Sequence, residues 1–338
     1  MFFSSKTILK DIISCPELEQ FKDLLIPGGN FFAGESLENS LEQLNSMQPT
    51  WDIQDMLSGL ELLISLPDKD TTNYVFYSSD DLNYADVPSF ISIPALKRSS
   101  GMPYAVLISG GAYGAVCNLS EALPVASKLT SLGVHCFIIN YTTARPTDKE
   151  NGLFPKPLDD VASILNKIWS MSEYFNIEPD NYIMYGFSAG GHLAAMWATE
   201  ISGYKKYNMT PPKMLALAYP LISMDTMPES KIKDFMLTMM YGKNHTREDE
   251  ERYIVDRHIT SSYSPVYVLQ ASDDDMVSVS NSHMLVNALR QNNVLHKYEL
   301  VQSGGHGFGL GNSTPAKGWV ERSLDFYKNI YGGEPHEQ

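Results

Sequence analysis

The chain is poor in cysteine. Its 338 residues contain three, Cys15, Cys117 and Cys136, whose spacing fits neither a disulfide framework nor a metal site. Cys136 lies within an apolar run that is typical of a buried strand. Such cysteine usage is typical of a reducing compartment. We therefore predict a cytoplasmic protein that uses no metal and no other cofactor.

Basic residues and long apolar runs are also scarce. Lys and Arg number 25 against 40 Asp and Glu, giving a formal net charge of −15. This excess argues against nucleic acid and against an anionic membrane surface as partners. The apolar runs are too short to span a bilayer, and the first residues, MFFSSKTILKDIIS, do not resemble a signal peptide. We expect a small-molecule substrate. The oligomeric state stays open, with a homodimer as one option.

The order of sequence patterns predicts an α/β fold. From residue 74 onwards, short apolar runs such as YAVLIS, VHCFIIN and YIMYGF alternate with amphipathic segments, and the longest of these predicts one helix from Pro157 to about Phe175. This alternation favours βαβ units and a mostly parallel, doubly wound sheet. The runs YVFYSS and VPSFISIP predict an antiparallel pair at its start.

Two segments stand apart from this alternation. Residues 1–67 predict a helical extension, with a helix over Glu17–Leu25 and two apolar stripes that must be buried. We expect it to pack on the main domain, residues 68–338, and to help wall the substrate site. Residues 224–260 predict a small cap-like insertion over the strand ends. The stripes comprise Leu37, Leu41, Leu44 and Met47, then Ile53, Met56, Leu57, Leu60, Leu63 and Ile64.

The stretch NYIMYGFSAGGHLAAMWAT, residues 181–199, is the most informative in the chain. A strand-like run enters G-x-S-x-G, and an Ala- and Leu-rich helical run leaves it, which is the pattern of a nucleophile elbow. The tight turn would strain Ser188 and leave its hydroxyl exposed at a helix N-terminus, where negative charge is favoured. Alone, G-x-S-x-G is often an accidental turn, but these flanks favour a catalytic serine.

A serine nucleophile needs a base and an orienting acid. His306 lies in the glycine-rich run SGGHGFG after a predicted strand, so it should reach the same sheet edge as Ser188. Asp273, Asp274 and Asp275 follow another strand, where one carboxylate can hold the histidine. Spacing does not choose among the three, and at least one would simply stabilise a helix N-terminus.

Backbone donors for an oxyanion are suggested by the run SGGAY, residues 109–113, directly after the first parallel strand. An ordinary strand-to-helix turn would read the same way. The candidate residues occur in the chain order Ser, Asp, His, which is the order of the α/β hydrolases and not that of chymotrypsin or subtilisin.

Residues 74–331 resemble the α/β-hydrolase superfamily. They are most similar to small bacterial esterases related to the hormone-sensitive-lipase type and to acetyl xylan and feruloyl esterases. The resemblance rests on SGGAYG, GFSAGGHLAA, LAYPLISM, ASDDDMVSVSNS and GGHGFGL. It implies Asp274 as the acid, from the family's D-x-x-V pattern, and Gly111, Ala112 and Ala189 as oxyanion donors. The family usually has three glycines after His or Pro, and Ser109 and Ala112 depart from that pattern.

These features together predict a serine hydrolase of short-chain carboxylic esters, such as acetyl esters of sugars, acting through an acyl-enzyme on Ser188. A prolyl-oligopeptidase-type peptidase shares the fold and triad, but the chain has no repeat region that would build a propeller. A hydrolase-fold binding protein is the third reading. The intact Ser, His and Asp set argues against it.

Overall fold

The described strands form one twisted, mostly parallel sheet. The computed structural model describes residues 2–25, 37–66, 73–75, 88–97, 101–144 and 149–332. Within them, eight strands lie in the order β1-β2-β4-β3-β5-β6-β7-β8. The pairs β1–β2 and β2–β4 are antiparallel, and the other pairs are parallel. The predicted α/β fold is confirmed. The strands are β1 Asn73–Val75, β2 Ser89–Ile93, β3 Tyr104–Ile108, β4 Cys136–Asn140, β5 Tyr182–Phe187, β6 Met214–Ala218, β7 Val266–Ala271 and β8 His296–Val301.

Helices cover both faces of the sheet. Those of the main domain are α5 Ala122–Ser131, α6 Lys156–Ser170, α7 Ser172–Phe175, α8 Ser188–Trp197, α11 Ser280–Gln291 and α12 Trp319–Tyr331. The single helix predicted from Pro157 to Phe175 is wrong, because the backbone leaves helical geometry at Met171 and divides the segment into α6 and α7. No helix in the described ranges is both long and apolar enough to cross a membrane.

Strand β3 shows how the core is divided. Tyr104, Val106 and Ile108 pack into one apolar cluster with α6, α8 and α11. Ala105 and Leu107 point the opposite way, into a cluster with α5, α12 and the N-terminal helices. Successive side chains of a strand alternate between faces, and helices on both faces bury all of β3. We call these two sides the α8 face and the α5 face.

The N-terminal segment packs on the α5 face. It forms α1 Leu9–Ile13, α2 Lys22–Leu25, α3 Leu41–Met47 and α4 Ile53–Ser65. The Asp52 side chain caps α4 by accepting from the N–H groups of Gln54 and Asp55. Helix α4 crosses α5 so closely that a Cβ on Gly59 would lie 2.7 Å from Leu123 Cγ.

Two details of this segment differ from the sequence prediction. Residues 17–25 form a 3₁₀ turn, Glu19–Phe21, followed by α2 rather than one helix. Leu37 and Met47 are 42% and 46% exposed, so the buried stripe of α3 is narrower than its spacing predicts. Pro27-Gly28-Gly29 and Pro67, whose sequence predicts the ends of helices, lie outside the described residues.

The insertion between β6 and β7 is helical. It contains a 3₁₀ turn, Met224–Thr226, then α9 Lys231–Tyr241, α10 Arg247–Glu251 and a second 3₁₀ turn, Val255–His258. Ser230 and Thr246 cap the two α-helices with their side-chain oxygens. Met240, on α9, accepts hydrogen bonds from the N–H groups of Leu153 and Phe154. The insertion is thereby fastened to the segment that leads into α6.

Candidate active site

The turn from β5 into α8 is as tight as its glycines suggest. Ser188 has φ 50°, a left-handed backbone conformation that costs energy in a residue with a Cβ. A Cβ on Gly190 would lie 2.1 Å from the carbonyl oxygen of Ile108, at the end of β3. A Cβ on Gly186 would lie 2.8 Å from Gly191 Cα. Ser188 is only 8% exposed, so its hydroxyl lies in a recess rather than open above the sheet as the pattern alone predicts.

Ser188, His306 and Asp274 form one chain of hydrogen bonds. Ser188 Oγ lies 2.8 Å from His306 Nε2, and His306 Nδ1 lies 2.8 Å from Asp274 Oδ2. An ionised carboxylate only accepts, so Nδ1 carries the proton and Nε2 is left to accept from the serine hydroxyl. The side chains of His306 and Asp274 are 6% and 0% exposed. This is the arrangement of a general base with its orienting acid.

Among the three acidic candidates, the structure places Asp274 against the histidine. Its Oδ1 accepts from the N–H groups of Met276 and Val277, and its Oδ2 also accepts from Gln270 Nε2 at 2.7 Å. Asp273 instead accepts from the N–H of Gly305, and Asp275 is exposed. Asp274 is therefore oriented by donors on both oxygens, while Asp273 holds the histidine loop.

The loop after β3, residues 109–114, lies beside Ser188, and we call it the oxyanion loop after the donors predicted in it. A Cβ on Gly110 would come within 2.7 Å of Ser188 Cβ. The backbone is left-handed at Ala112 (φ 52°) and Tyr113 (φ 59°), strain that is often stored at functional sites. Among the backbone hydrogen bonds of the described ranges, none uses the N–H of Gly111, Ala112 or Ala189. Within the described ranges, the three predicted donors therefore have no backbone acceptor outside the helices and strands, and two of them lie in this loop.

Glu121 is a buried carboxylate behind the site that the sequence analysis did not identify. It accepts from the N–H of Gly110 at 2.6 Å and from the hydroxyl of Tyr219 at 3.1 Å. The Tyr219 hydroxyl in turn accepts from the N–H of Gly309, and its ring packs edge-on against His306. Burial raises the pKa of Glu121 to about 7, against the lowering effects of Gly110, His306 and Tyr219. One side chain thus ties the oxyanion loop to the histidine loop.

His192 performs a similar task on the other side of the elbow. It is fully buried, with Nδ1 2.7 Å from the Tyr113 hydroxyl and Nε2 2.7 Å from the carbonyl oxygen of Tyr253. Burial lowers the pKa of His192 to about 4, so the ring is neutral at pH 7. The carbonyl requires a donor at Nε2, which leaves Nδ1 to accept from Tyr113. His192 therefore joins the oxyanion loop to α8 and to the cap.

A mostly apolar recess opens next to the oxyanion loop. It is partly open to solvent. The oxyanion loop and α9 of the insertion line it together. Its lining residues are Ala112, Tyr113, Gly114, Ala144, Phe235, Met236, Met239 and Met240. Helix α9 of the predicted cap thus lies beside the oxyanion loop, whereas α4 packs on the opposite face of the sheet.

The residues that sequence reasoning missed share one property: each supports a loop rather than reacting. Glu121 is the only acidic residue in the run LSEALPVASKL, and Tyr219 directly follows β6. A single acidic residue at the start of an apolar helix usually just interacts favourably with the helix dipole. The sequence around Glu121 therefore does not indicate a role in the site. Only the packing of three separate loops around it reveals the role.

The sheet order, the elbow and the three hydrogen-bonded side chains together define an α/β hydrolase. The chain belongs to the BD-FAE family, a family of α/β-hydrolase esterases, whose model matches residues 91–289, more than half of the chain. The N-terminal segment, α1 to α4, precedes the matched residues.

Two proteins that are similar in sequence have names that refer to xylan. The chain is 27% identical over 260 residues to an acetylxylan esterase of Xylanibacter ruminicola and 26% identical over 220 residues to endo-1,4-β-xylanase B of Butyrivibrio fibrisolvens. The matches cover 75% and 63% of this chain, but only 50% and 34% of those proteins, so the chain spans half or less of the length of these relatives.

Solved structures with the same fold are matched over nearly their whole length. An acetyl ester-xyloside bifunctional hydrolase of Caldicellulosiruptor lactoaceticus matches with a TM-score of 0.62 and 26% identity. The match covers 78% of this chain and 94% of the chain of that hydrolase. The carboxylesterase Cest-2923 of Lactobacillus plantarum has a TM-score of 0.60 at 20% identity, covering 76% and 96%. At that identity the second likeness supports the fold alone.

Proposed function

We propose that the protein is a serine hydrolase of small carboxylic esters. The observation that carries the proposal is the chain from Ser188 through His306 to Asp274, at the carboxyl ends of parallel strands. Ser188 Oγ attacks the ester carbonyl carbon while His306 Nε2 takes the hydroxyl proton. The resulting imidazolium is stabilised by Asp274, and the oxyanion is held by the N–H groups of Gly111, Ala112 and Ala189.

The intermediate collapses when its carbon–oxygen bond to the alcohol breaks. His306 returns the proton to the leaving alkoxide, and the acyl group stays on Ser188 as an ester. Water then enters, gives a proton to His306 and attacks the acyl carbon. Release of the acid returns the proton to Ser188 and restores the enzyme.

The proposed substrates are short-chain acyl esters, acetyl esters of sugars first among them. The family and the similar acetylxylan esterase and acetyl ester-xyloside hydrolase support this class. The apolar lining of the recess beside Ala112 suits the methyl end of a short acyl group. We further propose a cytoplasmic location, supported by the lack of a disulfide among Cys15, Cys117 and Cys136 and testable by cell fractionation.

A panel of esters tests the proposal. p-Nitrophenyl esters of two, four, eight and twelve carbons should be hydrolysed with kcat/KM falling as the chain lengthens, and acetylated xylo-oligosaccharides should release acetate. Peptide p-nitroanilides with proline serve as the control for a peptidase. Hydrolysis of the anilides without hydrolysis of acetyl esters would reject the esterase.

A further inference from the structure

The loop that carries His306 has little stiffness of its own. Gly304, Gly305, Gly307, Gly309 and Gly311 all have positive φ, between 55° and 150°. Glycine allows this path, but it loses more conformational freedom than any other residue when it is fixed. The imidazole must nevertheless be held within a fraction of an ångström of Ser188 for proton transfer. The loop therefore needs partners from outside itself.

One of those partners comes from the N-terminal segment. Thr50, in the turn between α3 and α4, donates its hydroxyl to the carbonyl oxygen of His306 at 2.5 Å. Gln48 Nε2 lies 3.4 Å from the same oxygen. The methyl group of Thr50 also lies only 2.9 Å from where a Cβ on Gly305 would be. The sequence separation between donor and acceptor is 256 residues.

The turn that carries Thr50 is itself firmly held. Asn45 Nδ2 donates to the carbonyl oxygen of Trp51 at 2.7 Å. Five residues on, the buried carboxylate of Asp55 accepts from Asn312 Nδ2 at 2.7 Å. Helix α4, which follows the turn, is packed against α5 through Gly59. The Thr50 hydroxyl is thus presented from a fixed support to a flexible loop.

We infer that Thr50 is a positioning residue for His306, and that the segment before the family-matched domain is part of the support of the active site. On the opposite flank Asp273 accepts from the N–H of Gly305, so the two residues hold the peptide unit that follows His306 and the one between Gly304 and Gly305. This assignment rests on the proposed role of His306 as the base. The N-terminal segment is thereby given the role of holding the base, and not the role of walling the substrate site that its sequence predicts.

Thr50→Val tests this role of Thr50, because it keeps the branched shape of the side chain, removes the hydroxyl donor and puts a methyl group against the His306 carbonyl. We expect kcat for p-nitrophenyl acetate to fall about tenfold, the factor that corresponds to one ordinary hydrogen bond, with KM changed less than twofold. Thr50→Ser, which restores the donor, should recover most of kcat. Ser58→Ala is the matched control: among the described residues, the Ser58 hydroxyl donates to the Asp55 carbonyl within α4, and kcat should stay at the wild-type value.

The rate at which a fluorophosphonate labels Ser188 gives a second readout that needs no substrate, and it should fall in parallel with kcat. If Thr50→Val does not fold, Thr50→Ala removes the donor without adding bulk. Wild-type kcat and labelling in a folded Thr50→Val or Thr50→Ala variant would overturn the inference while leaving the esterase intact. Equal losses in the Ser58→Ala control would overturn it as well. If the wild-type protein neither hydrolyses esters nor is labelled at Ser188, the proposed function is rejected, and the inference about Thr50 is rejected with it.

Discussion

Replacing Asp274 by Asn should remove nearly all activity without unfolding the protein. Oδ1 of Asp274 receives the N–H groups of Met276 and Val277, so in the variant this position must remain an oxygen. The amide nitrogen is then forced into the place of Oδ2, facing His306 Nδ1. An amide N–H requires an acceptor there, so the imidazole proton moves to Nε2. That nitrogen can no longer accept the proton of Ser188.

The neighbouring Gln270 cannot turn to hold the new amide at position 274 the other way round. Gln270 Nε2 also donates to Oδ2, and its Oε1 is held by the hydroxyl of Ser282 at 2.8 Å. Turning the Gln270 amide would therefore break a second buried hydrogen bond. The wrong histidine tautomer costs about 10⁴-fold in kcat in serine hydrolases with this arrangement. We expect a loss of that order here.

The assay is kcat for p-nitrophenyl acetate at pH 7.5, with melting temperature as the check on folding. Asp273→Asn is the matched control, because its Oδ1 can still accept from Gly305, and kcat should stay within about threefold of wild type. Asp275→Asn, on an exposed side chain, should have no effect. A folded Asp274→Asn variant within tenfold of wild type, or an Asp273→Asn variant that is the inactive one, would refute the assignment.

Two further predictions concern the support of the site. Glu121 has a folded pKa raised from 4.5 to about 7, so the folded state binds more protons than the unfolded state in this window, and wild-type stability falls as pH rises through it. The Glu121→Gln variant lacks this loss of stability. In urea titrations from pH 4.5 to pH 7, the free energy of unfolding of the variant should therefore rise relative to that of wild type by about 3 kcal/mol. A difference between the two proteins that does not change with pH would contradict this. In Gly190→Ala, the added Cβ 2.1 Å from the Ile108 carbonyl must displace the elbow, and kcat should fall about 10²-fold. Gly101→Ala adds a Cβ at a left-handed backbone position (φ 77°), with no described atom within 4 Å of it. It should keep wild-type kcat even where that strain lowers stability, and equal activity of the two variants would show that the elbow tolerates displacement.

The sequence predicted those parts of the fold that depend on local pattern. The runs YAVLIS, VHCFIIN and YIMYGF contain β3, β4 and β5, because strands buried on both faces leave continuous apolar runs in the sequence. The break at Met171 left no such mark, since helical propensity is continuous across it. The exposure of Leu37 and Met47 depends on what packs beside α3, which no spacing specifies.

The same division holds in the site. Ser188 and His306 were found because their neighbours must be glycine at close approaches or positive φ, and that requirement is visible in the sequence. Choosing among three adjacent aspartates required the donors on both oxygens of Asp274. Thr50 and Glu121 were not found, because each acts through contacts with residues far away in the chain and each is a common residue in an ordinary local setting.

The most direct test of the account is whether an acyl group forms on Ser188. Wild-type protein mixed with p-nitrophenyl acetate and quenched in acid within milliseconds should yield a peptide containing residues 182–197 that carries one acetyl group on Ser188. Mass spectrometry of Ser188→Ala under the same conditions should find none, and its turnover should fall about 10⁶-fold, as it does when the nucleophile of a triad is removed. Acetylation at another residue, or a Ser188→Ala variant that keeps more than a few per cent of wild-type turnover, would contradict the account.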